Sequence, residues 1–204
     1  FPFRHREGRF AALINAEDVT LDYSDKWPPI DGLSGEIEFN GPEMVVRTTG
    51  GQMFNAAFAD ATARIPDIRA AEKRLFIDGR ASGHMDDLGL FIEQSPLSAD
   101  PILPRVSNSL ADGEMDLTLA LSLPLGGAGA PAEIDGRLQI GNARLNSGVP
   151  NLALQMVTGA VDFTRHGANG SGIQARFHGQ PVEVVVFGDR DQPAEPPRIE
   201  VRGA

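Results

Sequence analysis

The sequence predicts a mainly β protein with one short helix between two β-rich halves. Residues 113–125 show the clearest strand pattern, because apolar residues occupy every second position and mostly polar ones lie between them. Such alternation places one residue type on each face of a strand. The 23 Gly and 15 Pro residues fall mostly between alternating segments. Turn residues that separate alternating segments are typical of antiparallel β structure.

The other strands follow from shorter alternating segments. Apolar residues alternate at 10–14, 19–23, 33–39 and 152–156, and turn residues such as Gly50-Gly51 and Gly126-Gly127 bound the segments. These signals predict about a dozen strands. Proline has no N–H to donate, so we expect Pro124 to end the pairing of its strand. The glycines at 167, 170 and 172 predict a hairpin turn.

Residues 85–94 break this pattern and predict the helix. Leu88, Phe91 and Ile92 follow Met85 at helical spacing. We expect Asp86 to cap the amino end, and the Ser-Pro pair at 95–96 ends the helix. Three prolines between 96 and 104 predict a rigid connection. The chain is therefore divided into residues 1–104 and residues 105–204.

The two halves resemble each other weakly. Residues 33–39 (LSGEIEF) correspond to residues 157–163 (VTGAVDF) at an offset of 124 residues, and a Gly-Arg-apolar start precedes each copy at 8–10 and 136–138. Short β patterns also match by chance. If the repeat is real, it predicts a stacked β array.

Two segments are apolar on both faces. Val182, Val184 and Val186 alternate with Val185 and Phe187, and residues 52–65 carry apolar residues on both parities. Such strands are buried on both sides, or they line an apolar cavity with one side. Periodicity favours a β-sandwich core with a covering helix, and it leaves open a groove for an acyl chain.

Composition and charge exclude several classes of protein. Hydrophobic residues make up 41% of the chain, which is enough for a core and argues against disorder. The net charge of −10 makes nucleic acid an unexpected partner. Without cysteine, disulfide scaffolds, thiol catalysis and Cys-based zinc sites are excluded. No apolar run reaches the roughly 18 residues of a membrane span. Because the chain begins with Phe1, we expect it to be a piece of a longer protein.

A search for catalytic or metal-binding residues finds no convincing set. The four histidines, at 5, 84, 166 and 178, are not paired at ligand spacing. Carboxylates such as Glu36, Glu38 and Asp116 lie on the polar side of strands, which is typical of solvated faces. The glycine stretch precedes a β pattern, whereas a phosphate loop precedes a helix. We therefore predict no enzyme, no cofactor and no metal site.

The loop at Trp27-Pro28-Pro29 is more specific. A large apolar side chain beside two prolines predicts an anchor for a rigid loop, with Trp27 and Pro28 as its structural residues. Stacking of a sugar on the Trp27 ring is the alternative interpretation.

Several motifs occur together and in order. They are the start at 8–23, the Lys26-Trp27-Pro28 loop, the strand at 33–39, the Gly50-Gly51 pair, the segments 65–67 and 75–83, the helix end Gln94-Ser95-Pro96-Leu97 and the strand end 121–125. In this order they resemble the periplasmic AsmA-like proteins of the YhdP type in Gram-negative bacteria. The resemblance covers residues 8–125 well and is looser afterwards, where a second Trp-Pro loop and a second helix are missing.

The resemblance implies a repeating β-groove, which is a long, curved antiparallel sheet with an apolar concave side. It also implies one segment of a periplasmic, bridge-like lipid transport protein that is anchored in the inner membrane. The expected partners are phospholipid acyl chains, neighbouring segments of the same longer chain, and the inner and outer membranes. The predicted groove-lining residues are Leu117, Leu119, Leu121, Leu123, Val182, Val184 and Val186.

Two other functions stay open on the sequence. A β-rich spacer or protein-interaction module of the cell envelope would pack both faces internally and expose no apolar face. A hydrolase or sugar-binding β-sandwich would bring carboxylates together beside an open Trp27 ring.

Overall fold

The computed structural model describes residues 10–22, 25–99, 108–125, 132–146, 153–188 and 198–203. The strands are β1 (Ala11–Leu21), β2 (Ile30–Asn40), β3 (Glu43–Met53), β4 (Ala56–Ile65), β5 (Lys73–His84), β6 (Leu110–Ala111), β7 (Glu114–Leu125), β8 (Glu133–Asn146), β9 (Ala153–Thr164), β10 (Gly167–Phe177), β11 (Gln180–Phe187) and β12 (Arg198–Gly203). The helix α1 (Met85–Glu93) and a short 3-10 helix (Pro96–Ala99) lie between β5 and β6. The predicted helix at 85–94 is thus confirmed to within one residue.

The strands form one open antiparallel sheet. Each strand pairs with the next along the chain, except that β5 pairs with β7 and the two-residue β6 pairs with β8. Pairing between β5 and β7 is unbroken from Lys73–Leu125 to His84–Glu114, so the sheet continues across the helix. The edge strands β1 and β12 each have one neighbour. The predicted fold class, a mainly β chain with a long open antiparallel sheet, is confirmed.

Bulges interrupt the register in most other strand pairs. Asp18, Asp60, Asn142 and Met156 have φ between 51° and 54°, which is rare for residues with a side chain, and Gly172 has φ 69°. A bulge adds one residue and therefore switches which parity faces which side. In β4, Phe58 lies before Asp60 and Ala63 after it, yet both lie on the same face. The two-sided interpretation of residues 52–65 was therefore wrong.

Strand bounds in the two parts of the chain follow the 124-residue offset of the sequence pattern. β3 (Glu43–Met53) and β10 (Gly167–Phe177) share this offset at both ends. Asp18 and Asn142 share it and both have positive φ, as do Phe54 and His178 in the turns that follow β3 and β10.

Three local predictions were wrong. Pro124 does not end the pairing of β7 with β5; it lies where β8 has already separated, since that pairing ends at Ser122. A proline without N–H is tolerated where a strand has one neighbour. The glycines at 167, 170 and 172 lie within β10, and the turn is formed by residues 165–166. The N-cap of α1 is His84, not Asp86.

Some sequence predictions fall outside the described residues. They concern His5, the Gly-Arg pair at 8–9, residue 23, the prolines at 101 and 104, the Gly126-Gly127 turn and residue 152.

Candidate functional site: the apolar face of the sheet

One face of the sheet carries apolar residues from strand to strand. Register aligns a row of such residues, and each residue in it is paired with the next: Ile14, Ile37, Val46, Ala63, Ile77, Leu121 and Ile134. We call the side of the sheet that carries this row the apolar face. With strands about 4.8 Å apart, the eleven consecutive strands give this face a length of roughly 50 Å.

The opposite side is polar in the adjacent row. Register there aligns Asn15, Glu36, Arg47, Thr62, Asp78, Ala120, Asp135 and Thr164. We call this side the polar face. Glu36, Glu38 and Asp116 lie on it, and Arg47 pairs with Glu38 at 3.0 Å. Water and ion pairs therefore satisfy one face, while the other requires apolar cover.

The groove-lining residues predicted from sequence all lie on the apolar face. Leu117 pairs with Leu138, Leu121 with Ile134, and Val184 with Ile173, and pairing carries these positions to one side of the sheet. Leu117, Leu119, Leu121, Leu123 and Val186 are half-buried, whereas Val182 and Val184 are buried. The two predicted sets of residues thus belong to one surface.

Burial on the apolar face is uneven along the strands. A cluster of buried side chains lies towards the end of the sheet that carries α1: Met85, Met115, Ile140, Leu145, Leu154, Val157, Ile173 and Val184 are each at most 8% exposed. Towards the other end, Ile77, Leu121 and Leu123 are half-buried. Each fully buried side chain of this size contributes ~1.5–3 kcal/mol to folding. The cluster therefore fixes the sheet at the helix-bearing end and leaves accessible apolar surface at the other.

Helix α1 is fixed to the sheet through a buried carboxylate. The Asp87 carboxylate is 3% exposed and accepts hydrogen bonds from the backbone and side-chain nitrogens of Asn55 and from the backbone N–H of His84. Because each oxygen has a donor, the buried charge is compensated. This connection could not be predicted from the sequence, because Asn55 lies 32 residues before Asp87.

The predicted loop anchor contacts the same helix. The Trp27 ring centroid lies 5.7 Å from that of Phe91, the Trp27 side chain is half-buried, and Pro28 is buried. The Trp27 ring therefore contacts α1 through Phe91.

A ring also covers a gap on the apolar face. Gly136 in β8 pairs with Phe163 in β9, and the Phe163 ring lies over Gly136 so closely that a Cβ there would overlap Cζ. Leu119 pairs with Gly136 on one side and with Gly79 on the other. Leu119 therefore projects from between two positions that lack side chains.

The polar face contains a cavity. The cavity, of about 600 Å³, is lined by residues of β4, β5 and β7 to β10, most of them from the polar face, including Asp78, Arg80, Thr118 and Asp162. Asp162 forms an ion pair with Arg137, whose Nη1 donates to both carboxylate oxygens, at 2.9 and 3.0 Å. Across the described residues no group of three or more His, Asp or Glu side chains could hold a metal ion. His166 and His178 lie in exposed turns.

Comparison with known proteins now identifies the family. The family model described as YhdP protein matches residues 1–201 of the chain. The chain belongs to the YhdP protein family. This result agrees with the open sheet, and it extends the sequence resemblance of residues 8–125 over the second half.

A curated member of the YhdP family is much longer than this chain. The chain is 24% identical over 184 residues to the intermembrane phospholipid transporter YhdP of Escherichia coli (strain K12). The match covers 90% of this chain and 14% of the relative, so the chain spans about one seventh of that protein. No solved structure matches the chain significantly. In the described part of this YhdP-family chain, no helix is both long and apolar enough to cross a bilayer.

Proposed function

We propose that the apolar face holds the acyl chains of phospholipids, and that this chain is one stretch of a periplasmic conduit between the inner and outer membranes. The observation that carries the proposal is the continuous apolar row across one side of an open sheet. It is supported by the function of the Escherichia coli relative, which is an intermembrane phospholipid transporter.

The physical basis is transfer of hydrocarbon out of water. Each methylene placed against an apolar surface contributes ~0.8 kcal/mol. Half-buried leucines and isoleucines offer such a surface without a specific pocket, so chains of different length can bind and slide. The step needs no catalytic residue, no cofactor and no metal ion. In the whole protein, neighbouring segments of the chain would continue the face, and an anchor in the inner membrane would hold one end.

A charge on the apolar face tests the proposal. Leu119 lies on this face but outside the cluster of buried residues. We expect Leu119→Asp to fold and to lose most of the phospholipid that the purified chain retains, because the carboxylate would have to lose water beside an acyl chain. Retained lipid is measured by native mass spectrometry and by extraction.

Thr118→Asp is the matched control. Thr118 is the neighbouring residue in β7 and lies on the polar face opposite Arg137. The Thr118→Asp variant should retain as much lipid as the parent chain. Equal retention in both variants, or no phospholipid in the parent chain, would contradict the proposal and favour a spacer or interaction module.

A further inference from the structure

A single basic side chain stands out on the apolar face. Cross-strand pairing fixes the face of most strand residues, and among the described residues so placed, the one with a charge on the apolar face is Lys73. It pairs with Leu125, next to the pair Leu75–Leu123 on the same side.

Lys73 lies at the rim of this face. It is the first residue of β5, at the end of the strand away from α1, and it is half-buried. No described carboxylate lies within ion-pair distance of it. A lysine in such a place lays its methylene stem along apolar surface and keeps its ammonium in water. The ammonium is therefore available to an anion that sits beside hydrocarbon.

Charge differs between the two rims of the sheet. The rim at α1 comprises the described connections 22, 25–29, 54–55, 85–99, 112–113 and 178–179. Its acids are Asp22, Asp25, Asp86, Asp87, Glu93 and Asp112, against Lys26 alone as a base. The other rim comprises connections 41–42, 66–72, 165–166 and 188. There, Asp67 and Glu72 are balanced by Arg69 and Arg165. The charges of these described connections therefore repel an anion less at the rim of Lys73 than at the rim of α1.

We infer that the Lys73 ammonium binds the phosphate of a phospholipid whose acyl chains lie on the apolar face. Head groups then follow the rim of Lys73, and acyl tails point towards α1. The inference rests on the proposed function and adds the direction in which the lipid lies.

Lysine footprinting tests this direction with an internal control. The chain has two lysines, Lys26 at the rim of α1 and Lys73 at the other. We compare acetylation by acetic anhydride in the delipidated chain and in the chain loaded with phosphatidylglycerol. Loading should slow acetylation of Lys73 about fivefold, which corresponds to an ion pair at a partly exposed site, and leave Lys26 unchanged. Equal acetylation of Lys73 with and without lipid would overturn the inference.

Inorganic phosphate distinguishes a head group from a general anion site. Phosphate at the concentration of the lipid should leave Lys73 reactivity unchanged, because it lacks acyl chains. Equal protection by phosphate alone would show a general anion site and contradict the head-group assignment.

Substitution separates this inference from the proposed function. Lys73→Met keeps the apolar stem and should reduce retained phosphatidylglycerol about threefold to fivefold, whereas Lys73→Arg should retain it. If the parent chain retains lipid and Lys73→Met retains as much, this inference alone fails. If the parent chain retains none, the proposed function fails first.

Discussion

At the scale of single residues, the described part of the chain buries few polar side chains and satisfies them. Among the described residues no buried side-chain nitrogen or oxygen lacks a hydrogen-bond partner. Asp87 is the clearest case, since its carboxylate joins α1 to the turn between β3 and β4. Removal of such an acceptor leaves donors without partners, which costs more than the bond itself contributes.

Asp87→Ala should therefore lower the free energy of unfolding by about 1–3 kcal/mol. Urea denaturation followed by circular dichroism measures the change. Asp86→Ala is the control, because Asp86 is its exposed neighbour in the same helical turn. Its effect should stay within about 0.5 kcal/mol. Equal effects of the two substitutions would show that the hydrogen bonds of Asp87 do not stabilise the helix.

A side chain at Gly136 should also lower the stability of the chain. A Cβ at Gly136 would overlap the Phe163 ring, whereas a Cβ at Gly141 in the same strand would lie 3.6 Å from the Glu114 Cβ. Gly136→Ala should destabilise the chain by about 1–3 kcal/mol through overpacking. Gly141→Ala should be neutral or slightly stabilising, because alanine has less backbone entropy to lose than glycine.

The measurement is again urea denaturation, with Phe163→Leu added to the Gly136→Ala chain. A smaller side chain at 163 should restore part of the lost stability. A harmless Gly136→Ala would mean that the ring does not cover this position.

At the scale of elements, the helix and its loop act as one unit. The Trp27 ring contacts Phe91, and Met85 is almost fully buried at the start of α1. Helical spacing predicted the helix, which is confirmed, whereas the Trp-Pro-Pro motif predicts a loop anchor, which stays a prediction. The sequence could not predict that they touch, since the contact joins residues more than sixty positions apart.

Trp27→Ala should loosen this unit. We expect the substitution to lower the free energy of unfolding by about 2 kcal/mol, less than the 3–5 kcal/mol lost when a fully buried aromatic side chain is removed. Relative to the parent chain, amide hydrogen exchange should accelerate more in α1 than in β7. The control is a second aromatic residue. Tyr23 lies outside the described residues, so Phe10 is used. Its ring is 50% exposed and 6.3 Å from that of Phe39, at the edge of the sheet. Phe10→Ala should leave exchange in α1 unchanged. Unchanged exchange in the Trp27 variant would contradict the anchoring role.

Bulges explain why alternation assigned some residues to the wrong face of a strand. Alternation predicted the faces of β7 correctly, because β7 has no register shift with β5 or β8. At Asp60 and Met156 a residue with a side chain adopts positive φ, and the parity changes without a glycine to signal it. Met156 is 55% exposed, although it alternates in sequence with the buried Leu154. Register shifts arise from pairing with a neighbour, so a single strand does not show them.

At the scale of the whole molecule, the open sheet has two faces with different chemistry. Several apolar residues of the apolar face are exposed on the edge strands, among them Ile14 at 48% and Ile199 at 44%. The two edge strands that carry these residues, β1 and β12, each pair with one neighbouring strand only. The alternating pattern predicted the two faces of a strand without bulges, such as β7, while the joining of all the strands into one face followed only from register.

Photo-crosslinking tests most directly whether the apolar face holds phospholipid acyl chains. A photoreactive amino acid is placed at Leu119 and Leu121 on the apolar face, and at Thr118 and Ala120 on the polar face of the same strand. After irradiation in cells, covalent phospholipid adducts are identified by mass spectrometry. We expect adducts at Leu119 and Leu121 and none at Thr118 and Ala120. Equal labelling on both faces, or none on the apolar face, would show that the apolar face does not hold the acyl chains.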